Sequence, residues 1–103
     1  MPKSLFWMQV PSGYVFELYT ASGKRMVPVL TTAETARHVH RLLAERFPET
    51  LQIVQAGELP RETFEEFARA DGVPAEDYLF IYEGSPEFPR FLAGLETYPP
   101  QRT

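Results

Sequence analysis

One stretch of this sequence, between Thr31 and Phe47, carries a nearly complete set of helix signals. It begins with Thr31-Thr-Ala-Glu34, a capping-box pattern in which the threonine and glutamate side chains bind the free amides of a helix start. Four apolar residues follow at intervals of three and four: Ala36, Val39, Leu43 and Phe47. This spacing gives the helix one apolar face. Pro48 disfavours a helical Phe47, so the sequence predicts a helix over 31–47 that neighbouring strands must cover.

The other apolar segments predict five strands and two further helices. Strands are expected at 5–10, 14–20, 25–30, 51–55 and 78–82, and helices at 59–70 and in a short segment from Phe88 to Leu95. Residues 5–10 are apolar at every second position in both phases, as in a strand that is covered on both faces or lies at an interface. Pro28 lacks a backbone donor, so its strand should lie at an edge or carry a bulge there.

Alternation within 14–20 places Tyr14, Phe16 and Leu18 on one face of a half-buried strand. Phe64, Phe67 and Ala68 form the narrow buried stripe of the second predicted helix.

The predicted order β-β-β-α-β-α-β-α indicates an α+β two-layer sandwich. It would contain a mixed sheet of about five strands, with the helices packed mainly on one face. With 103 residues, of which 44% are hydrophobic, the chain suits one domain with a packed core. We expect that domain to cover residues 1–98 and to be followed by a flexible tail, 99–103.

Composition excludes several classes of function. Cysteine is absent, which removes disulfides, thiolate metal sites and a cysteine nucleophile. The net charge of −4 disfavours nonspecific nucleic-acid binding, which depends on neutralising phosphates. No apolar run approaches the roughly 18 residues that a membrane span needs, and the N-terminus does not resemble a signal peptide. The cytoplasm is therefore the expected compartment, and neither a cofactor nor a membrane partner is expected.

Charge and residue bias add two weaker indications. Residues 1–47 carry a net charge of +3 and residues 48–103 a net charge of −7, an asymmetry that favours head-to-tail association of two copies. A solvated acidic surface in the second half explains the same numbers more simply. Asparagine is absent, arginine outnumbers lysine eight to two and there are 10 prolines. This composition is typical of a thermophile's protein. A high-GC codon bias would give a similar excess of arginine and proline.

The segment Arg37-His-Val-His-Arg41 is the strongest candidate in the sequence for binding a metal ion or an anion. Histidines two residues apart on a helix point in nearly opposite directions, so His38 and His40 cannot chelate one metal ion. Arg37 and Arg41, four residues apart, share a face and are candidates to bind an anion. Ion pairs with nearby glutamates are the simpler interpretation.

Ser85 is the third candidate for anion binding. It lies in Tyr82-Glu-Gly-Ser-Pro86, where a predicted strand turns into a helix whose N-terminus attracts anions. The segment lacks the sequence of a phosphate-binding loop, and a plain helix cap explains it as well. The acidic residues of the second half lack the Glu-x-x-His partners of a di-metal site. No metal site and no catalytic residue are predicted.

Aromatic residues make up 14% of the chain, and most of them should be buried. Three short helices leave little cover for both faces of a sheet, so some rings are expected at an interface. Trp7 and Tyr19 are the predicted interface residues, because both fall on the alternation opposite a plausible core face.

A hairpin followed by Val27-Pro-Val-Leu-Thr-Thr32 leads directly into a helix rich in alanine and leucine. This pattern resembles the N-terminal domain of the SseB-like bacterial proteins over residues 14–55, with Leu30 where an aromatic is expected. The chain also resembles the small bacterial domains of unknown function that are typical of thermophiles. Either resemblance implies a fold and carries over no site residue.

Two hypotheses about function follow. The first is a small non-enzymatic interaction domain that self-associates through an apolar sheet face or edge and binds a protein partner. The alternative is a domain, or a small enzyme, that binds a small molecule or anion near Ser85 with Arg37 or Arg41 as the anchor. A buried arginine facing a cleft would favour the alternative, whereas a dry, continuous interface would favour the first hypothesis.

Overall fold

The computed structural model of the protein describes residues 4–98. Five strands lie in this part of the chain: β1 (Leu5–Gln9), β2 (Leu18–Tyr19), β3 (Arg25–Val29), β4 (Gln52–Ala56) and β5 (Tyr78–Tyr82). Three α-helices accompany them: α1 (Ala33–Arg46), α2 (Arg61–Ala68) and α3 (Phe88–Thr97). The predicted α+β class and the order β-β-β-α-β-α-β-α are confirmed. The predicted tail, 99–103, lies outside the described residues.

Helix α1 begins one residue later than its sequence pattern indicates. Thr32 is the N-cap, and its hydroxyl accepts a hydrogen bond of 3.3 Å from the Thr35 amide. The predicted pair, Thr31 with Glu34, is therefore wrong in detail. Phe47 has extended backbone angles and caps the C-terminus, as the following proline requires.

The strands form two small sheets that are joined by single bridges. In the first sheet β1 and β4 pair antiparallel, and in the second β3 lies between antiparallel β2 and parallel β5. Bridges at Phe6–Leu30 and Gln9–Val15 connect the two sheets. The expected single mixed sheet is divided because β2 pairs with β3 only at Arg25 and Met26, and β1 meets the same side of β3 only at the bridge to Leu30.

Pro28 shows how this division works. Strand β3 lies in the middle of its sheet, but β2 pairs only with Arg25 and Met26. The position of Pro28 therefore has a partner on the β5 side alone. A residue without a backbone N–H is tolerated there, because no ladder bond is lost.

Two faces of the strands carry separate hydrophobic clusters. Side chains of Phe6, Met8, Leu30 and Ile81 pack against helices α1 and α3, which we call the α1/α3 face. The opposite side, the α2 face, joins the buried residues Leu5, Trp7, Val27, Val29, Tyr78 and Tyr82 to Phe64 and Ala68 of α2. Strand β1 is thus buried on both faces, which is one of the two arrangements that its sequence allows. Two of the three helices cover one face and the third covers part of the other.

None of the helices in residues 4–98 combines the length and the apolar character that crossing a membrane requires.

Candidate functional site

An open cleft lies at the edge of the α2 face. Its volume is about 640 Å³, within the range of small-molecule sites, roughly 300–1,000 Å³. Among the residues that line it are Tyr14, Glu17, Arg25, Phe67, Arg69 and Asp71. We call it the Arg25 cleft. Its residues come from the turn after β1, the start of β3 and the end of α2, so the fold assembles it from distant parts of the chain.

A network of hydrogen bonds fixes the polar wall of the cleft. Arg25 Nη1 donates to Glu17 Oε1 at 2.8 Å, and the Tyr78 hydroxyl donates to Glu17 Oε2 at 2.7 Å. The same hydroxyl accepts the Ala70 amide at 2.8 Å. Burial raises the pKa of Tyr78, and its bond to the Glu17 carboxylate acts in the same direction. Both oxygens of Glu17 are thus occupied, and its carboxylate holds Arg25 in place.

The guanidinium of Arg25 is also held by aromatic rings. Its central carbon lies 5.4 Å from the ring centroid of Tyr19 and 5.9 Å from that of Tyr78. The hydrogen bond to Glu17 raises the pKa of Arg25, so the group stays charged. Within residues 4–98, Glu17 is the one acceptor bonded to this guanidinium. An arginine has five N–H donors, of which the bond to Glu17 takes one, and Arg25 is among the residues that line the cleft.

Two exposed rings flank this charged centre. Tyr14 is 74% exposed and Phe67 is 57% exposed, although the sequence places both on buried stripes. Tyr14 lies at the end of the turn after β1, where its carbonyl accepts the Val10 amide at 3.0 Å, and burial begins only at the next residue, Val15. Phe67 covers the edge of Trp7, with ring centroids 6.1 Å apart. The rings thus form an apolar rim beside Arg25.

The second surface of interest is the outer edge of β4. Strand β4 pairs with β1 alone, so its other row of backbone donors and acceptors has no strand partner among the described residues. Its sequence, Gln-Ile-Val-Gln-Ala, has no charged residue and no proline. Proteins normally protect such edges with charges, prolines or bulges. Gln52, Ile53 and Gln55 are exposed, so side chains do not block the approach of another strand.

Within residues 4–98, strand β5 also has a single strand neighbour, β3. Its side chains are more covered than those of β4, because three of the five are buried, Tyr78 and Tyr82 on the α2 face and Ile81 on the α1/α3 face. Helices therefore enclose β5 from both sides. The β4 edge is the more accessible of the two.

The anion site predicted at Ser85 is not favoured by its surroundings. The Glu83 carboxylate accepts the Thr31 amide at 2.8 Å, the Thr32 amide at 3.2 Å and the Thr35 hydroxyl at 3.0 Å. Burial acts to raise the pKa of Glu83, but these hydrogen bonds outweigh it and lower the pKa below its ordinary value. A carboxylate of the protein thus already fills the N-terminus of α1, where it repels a second anion.

Ser85 itself follows a tight turn. The Ser85 amide bonds to the Tyr82 carbonyl at 3.0 Å across Gly84, whose φ of +93° suits glycine. The Ser85 hydroxyl is buried and has no hydrogen-bond partner in residues 4–98. No residue in this turn supplies the positive charge that the predicted site needs.

The predicted arginine anchors lie on the exposed side of α1. Arg37 makes neither a hydrogen bond nor an ion pair with any residue from 4 to 98, and Arg41 Nη2 donates to His38 Nδ1 at 3.1 Å. His38 also lies 3.5 Å from Glu96, whereas His40 Nε2 donates to the Leu51 carbonyl at 2.8 Å. The two histidines have separate partners, and neither arginine is hydrogen-bonded to Ser85 in this part of the chain.

Of the two predicted interface residues, one is buried. Trp7 is 4% exposed and packs on Phe64 with ring centroids 4.8 Å apart, because β1 is covered by α2 on that side. The prediction of Trp7 as a surface residue is therefore wrong. Tyr19 is 65% exposed and lies beside an apolar groove of about 260 Å³ between β2 and α3.

Arg25 and Glu17 were missed because neither has a sequence signal. Opposite charges eight residues apart are common, and only the turn at Gly23 brings this pair together.

No family model, curated protein or solved structure matches the chain. The resemblance to the SseB-like N-terminal domain therefore stays a prediction.

Proposed function

We propose that this chain is a non-enzymatic interaction domain that self-associates by pairing β4 with β4 of a second copy. The observation that carries the proposal is the open, uncharged edge of β4 (Gln52–Ala56). Strand addition satisfies a row of backbone donors and acceptors at once, and it needs no special side-chain chemistry. A second copy supplies the same uncharged edge, so no charge is desolvated in the pairing.

Symmetry limits how two such edges can meet. A two-fold axis normal to the sheet makes the paired strands antiparallel and keeps like faces on the same side. With the axis at Val54, this residue meets its own equivalent and Ile53 lies opposite Gln55 of the partner subunit. No charged side chains oppose each other in this register, which removes the commonest penalty in cross-strand pairs. The result is a four-stranded sheet of order β1-β4-β4-β1.

The expected association is modest in strength. A contact between two strands of five residues buries less surface than a standard protein interface, so the oligomer should form in the micromolar range. The net charge of −4 argues for a protein partner and against nucleic acid. We also propose the cytoplasm as its compartment, since a chain without cysteine gains nothing from oxidising conditions.

A matched pair of substitutions tests the proposal. Ile53 of β4 and Leu79 of β5 are 38% and 39% exposed, and both lie on the α1/α3 face of an edge strand. Ile53→Lys places a like charge in both copies at the proposed contact, whereas Leu79→Lys makes the same change at the other edge. Light scattering after size-exclusion chromatography should give a dimer for wild type and Leu79→Lys and a monomer for Ile53→Lys.

The two variants must first show the circular dichroism and thermal unfolding of the wild type. A monomeric wild type at high micromolar concentration contradicts self-association. A dimer that Leu79→Lys disrupts and Ile53→Lys leaves intact assigns the contact to β5 and contradicts the role of β4.

A further inference from the structure

We propose that the Arg25 cleft binds a small aromatic carboxylate, with the carboxylate on Arg25 and the ring between Tyr14 and Phe67. This binding site is separate from the β4 edge and does not depend on self-association.

Recognition of a carboxylate follows from how Arg25 is held. A guanidinium presents a planar fork of donors that matches the two oxygens of a carboxylate. Glu17 takes one donor at 2.8 Å, and the rings of Tyr19 and Tyr78 limit the movement of the group. The fork is therefore oriented before a ligand arrives, which reduces the entropy lost on binding. Glu17 does not confront the ligand directly, because Arg25 and the Tyr78 hydroxyl occupy its two oxygens.

The charge of the cleft favours a single negative charge over several. Arg25 and Arg69 line it together with Glu17 and Asp71, so the formal charges balance. A phosphate, with more charge to neutralise, would find no excess of positive potential there. One carboxylate needs only one available fork. Arg69 is half-buried and forms no ion pair among residues 4–98. Its positive charge therefore also favours a negatively charged ligand.

The rim of the cleft favours a ring. Tyr14 and Phe67 are among the most exposed large apolar side chains of the described residues, and they flank the cleft of about 640 Å³. A planar ligand would cover both rings and remove their apolar surface from water. A short aliphatic acid would satisfy Arg25 and leave these rings exposed. The combination of fork and rings therefore selects an aromatic acid.

Phenylacetate is a suitable probe, with phenylacetamide and acetate as controls. Trp7 is the single tryptophan, and its ring lies 6.1 Å from that of Phe67, so its fluorescence should report binding. Phenylacetate should saturate at a concentration at least about tenfold below that of either control, since each control lacks one of the two recognised groups. Equal binding of phenylacetamide or acetate, no saturation by phenylacetate, or equal competition by inorganic phosphate would overturn the proposal.

Variants then locate the site. Arg25→Lys keeps the charge beside Glu17 but loses the fork, and should weaken phenylacetate binding about tenfold. Phe67→Ala should also weaken it, as followed by ligand-observed NMR because the substitution alters the surroundings of Trp7. Arg37→Gln removes an exposed arginine of α1 and should leave binding unchanged. Weakening by Arg37→Gln, or unchanged binding in Phe67→Ala, would overturn the assignment even if Arg25→Lys does not fold.

Discussion

Both faces of the strands carry buried side chains, but the two sets differ in chemistry. The α1/α3 cluster consists of hydrocarbon and thioether side chains. On the α2 face three buried residues end in a polar group, and each group is bonded: Trp7 to Gln9, Tyr78 to Glu17 and Tyr82 to Glu65. The first face is a dry core, whereas the second is amphipathic and opens into the Arg25 cleft. Ligand chemistry in this fold is therefore expected on the α2 face.

Two groups of polar contacts on the α1/α3 side lie at the ends of α1. Glu83 caps the N-terminus of α1. Near its C-terminus the buried Arg46 donates to the carbonyls of Leu42, Glu96 and Tyr98 at 2.8–3.2 Å. These bonds connect α1 to the rest of the chain without entering the hydrophobic cluster. A buried polar group is tolerated in both places because it is paired.

The largest effects should come from cavities on either face. Phe64 and Leu43 are both fully buried, so Phe64→Ala should cost about 3–5 kcal/mol and Leu43→Ala about 2–5 kcal/mol of unfolding free energy. Chemical denaturation measures both. Only Phe64→Ala should change the native fluorescence of Trp7, whose ring lies 4.8 Å from that of Phe64. An equal spectral change in Leu43→Ala would mean that the two faces are not separate.

A smaller effect is expected from the polar groups of the α2 face. Tyr78→Phe removes a hydroxyl that bonds to Glu17 and to the Ala70 amide. Leaving these groups unpaired should cost about 1–3 kcal/mol. Tyr19→Phe is the control, because Tyr19 is exposed and should change stability by less than about 0.5 kcal/mol. Equal stabilities of the two variants would show that the network contributes nothing to the fold.

The smallest effect should come from the cap of α1, and it should depend on pH. Glu83→Gln weakens the hydrogen bonds from Thr31, Thr32 and Thr35 and should cost about 1 kcal/mol at neutral pH. Because the folded pKa of Glu83 is lowered from 4.5, the unfolded state takes up its proton first as pH falls. The stabilisation is thus present above pH 4.5 and is lost as pH falls through the folded pKa. Thermal unfolding of wild type and variant should converge there; a difference that persists at lower pH contradicts this role.

Local signals were enough to predict the elements and most of the core. The periodicity of residues 31–47 predicted α1, because the apolar face of an amphipathic helix comes from residues of one continuous segment. Its cap was not predicted correctly, since the pattern indicated Thr31 with Glu34, whereas Thr32 is the N-cap and the distant Glu83 completes it. Burial of Trp7 was missed because alternation does not show that α2 crosses the second face of β1.

The candidate surfaces were not predictable in the same way. Whether a strand lies at an edge depends on pairing between segments far apart in sequence. The sequence of β4 therefore does not indicate that one of its edges is unpaired. The Arg25 cleft depends on a turn and on the end of α2, which bring residues 14–25 and 67–71 together. Sequence spacing carries no information about such a meeting. The motifs that did stand out, His38 with His40 and Arg37 with Arg41, belong to the exposed or half-buried side of α1.

Amide hydrogen exchange at two protein concentrations tests the central claim most directly. Alternate amides of an edge strand point away from the sheet and exchange readily until another strand covers them. If β4 pairs with a second copy, the outward amides of Gln52–Ala56 should become more protected as concentration rises, while those of Tyr78–Tyr82 should not change. Exchange in β4 that is independent of concentration, in a protein whose other amides are normally protected, would contradict self-association through this edge.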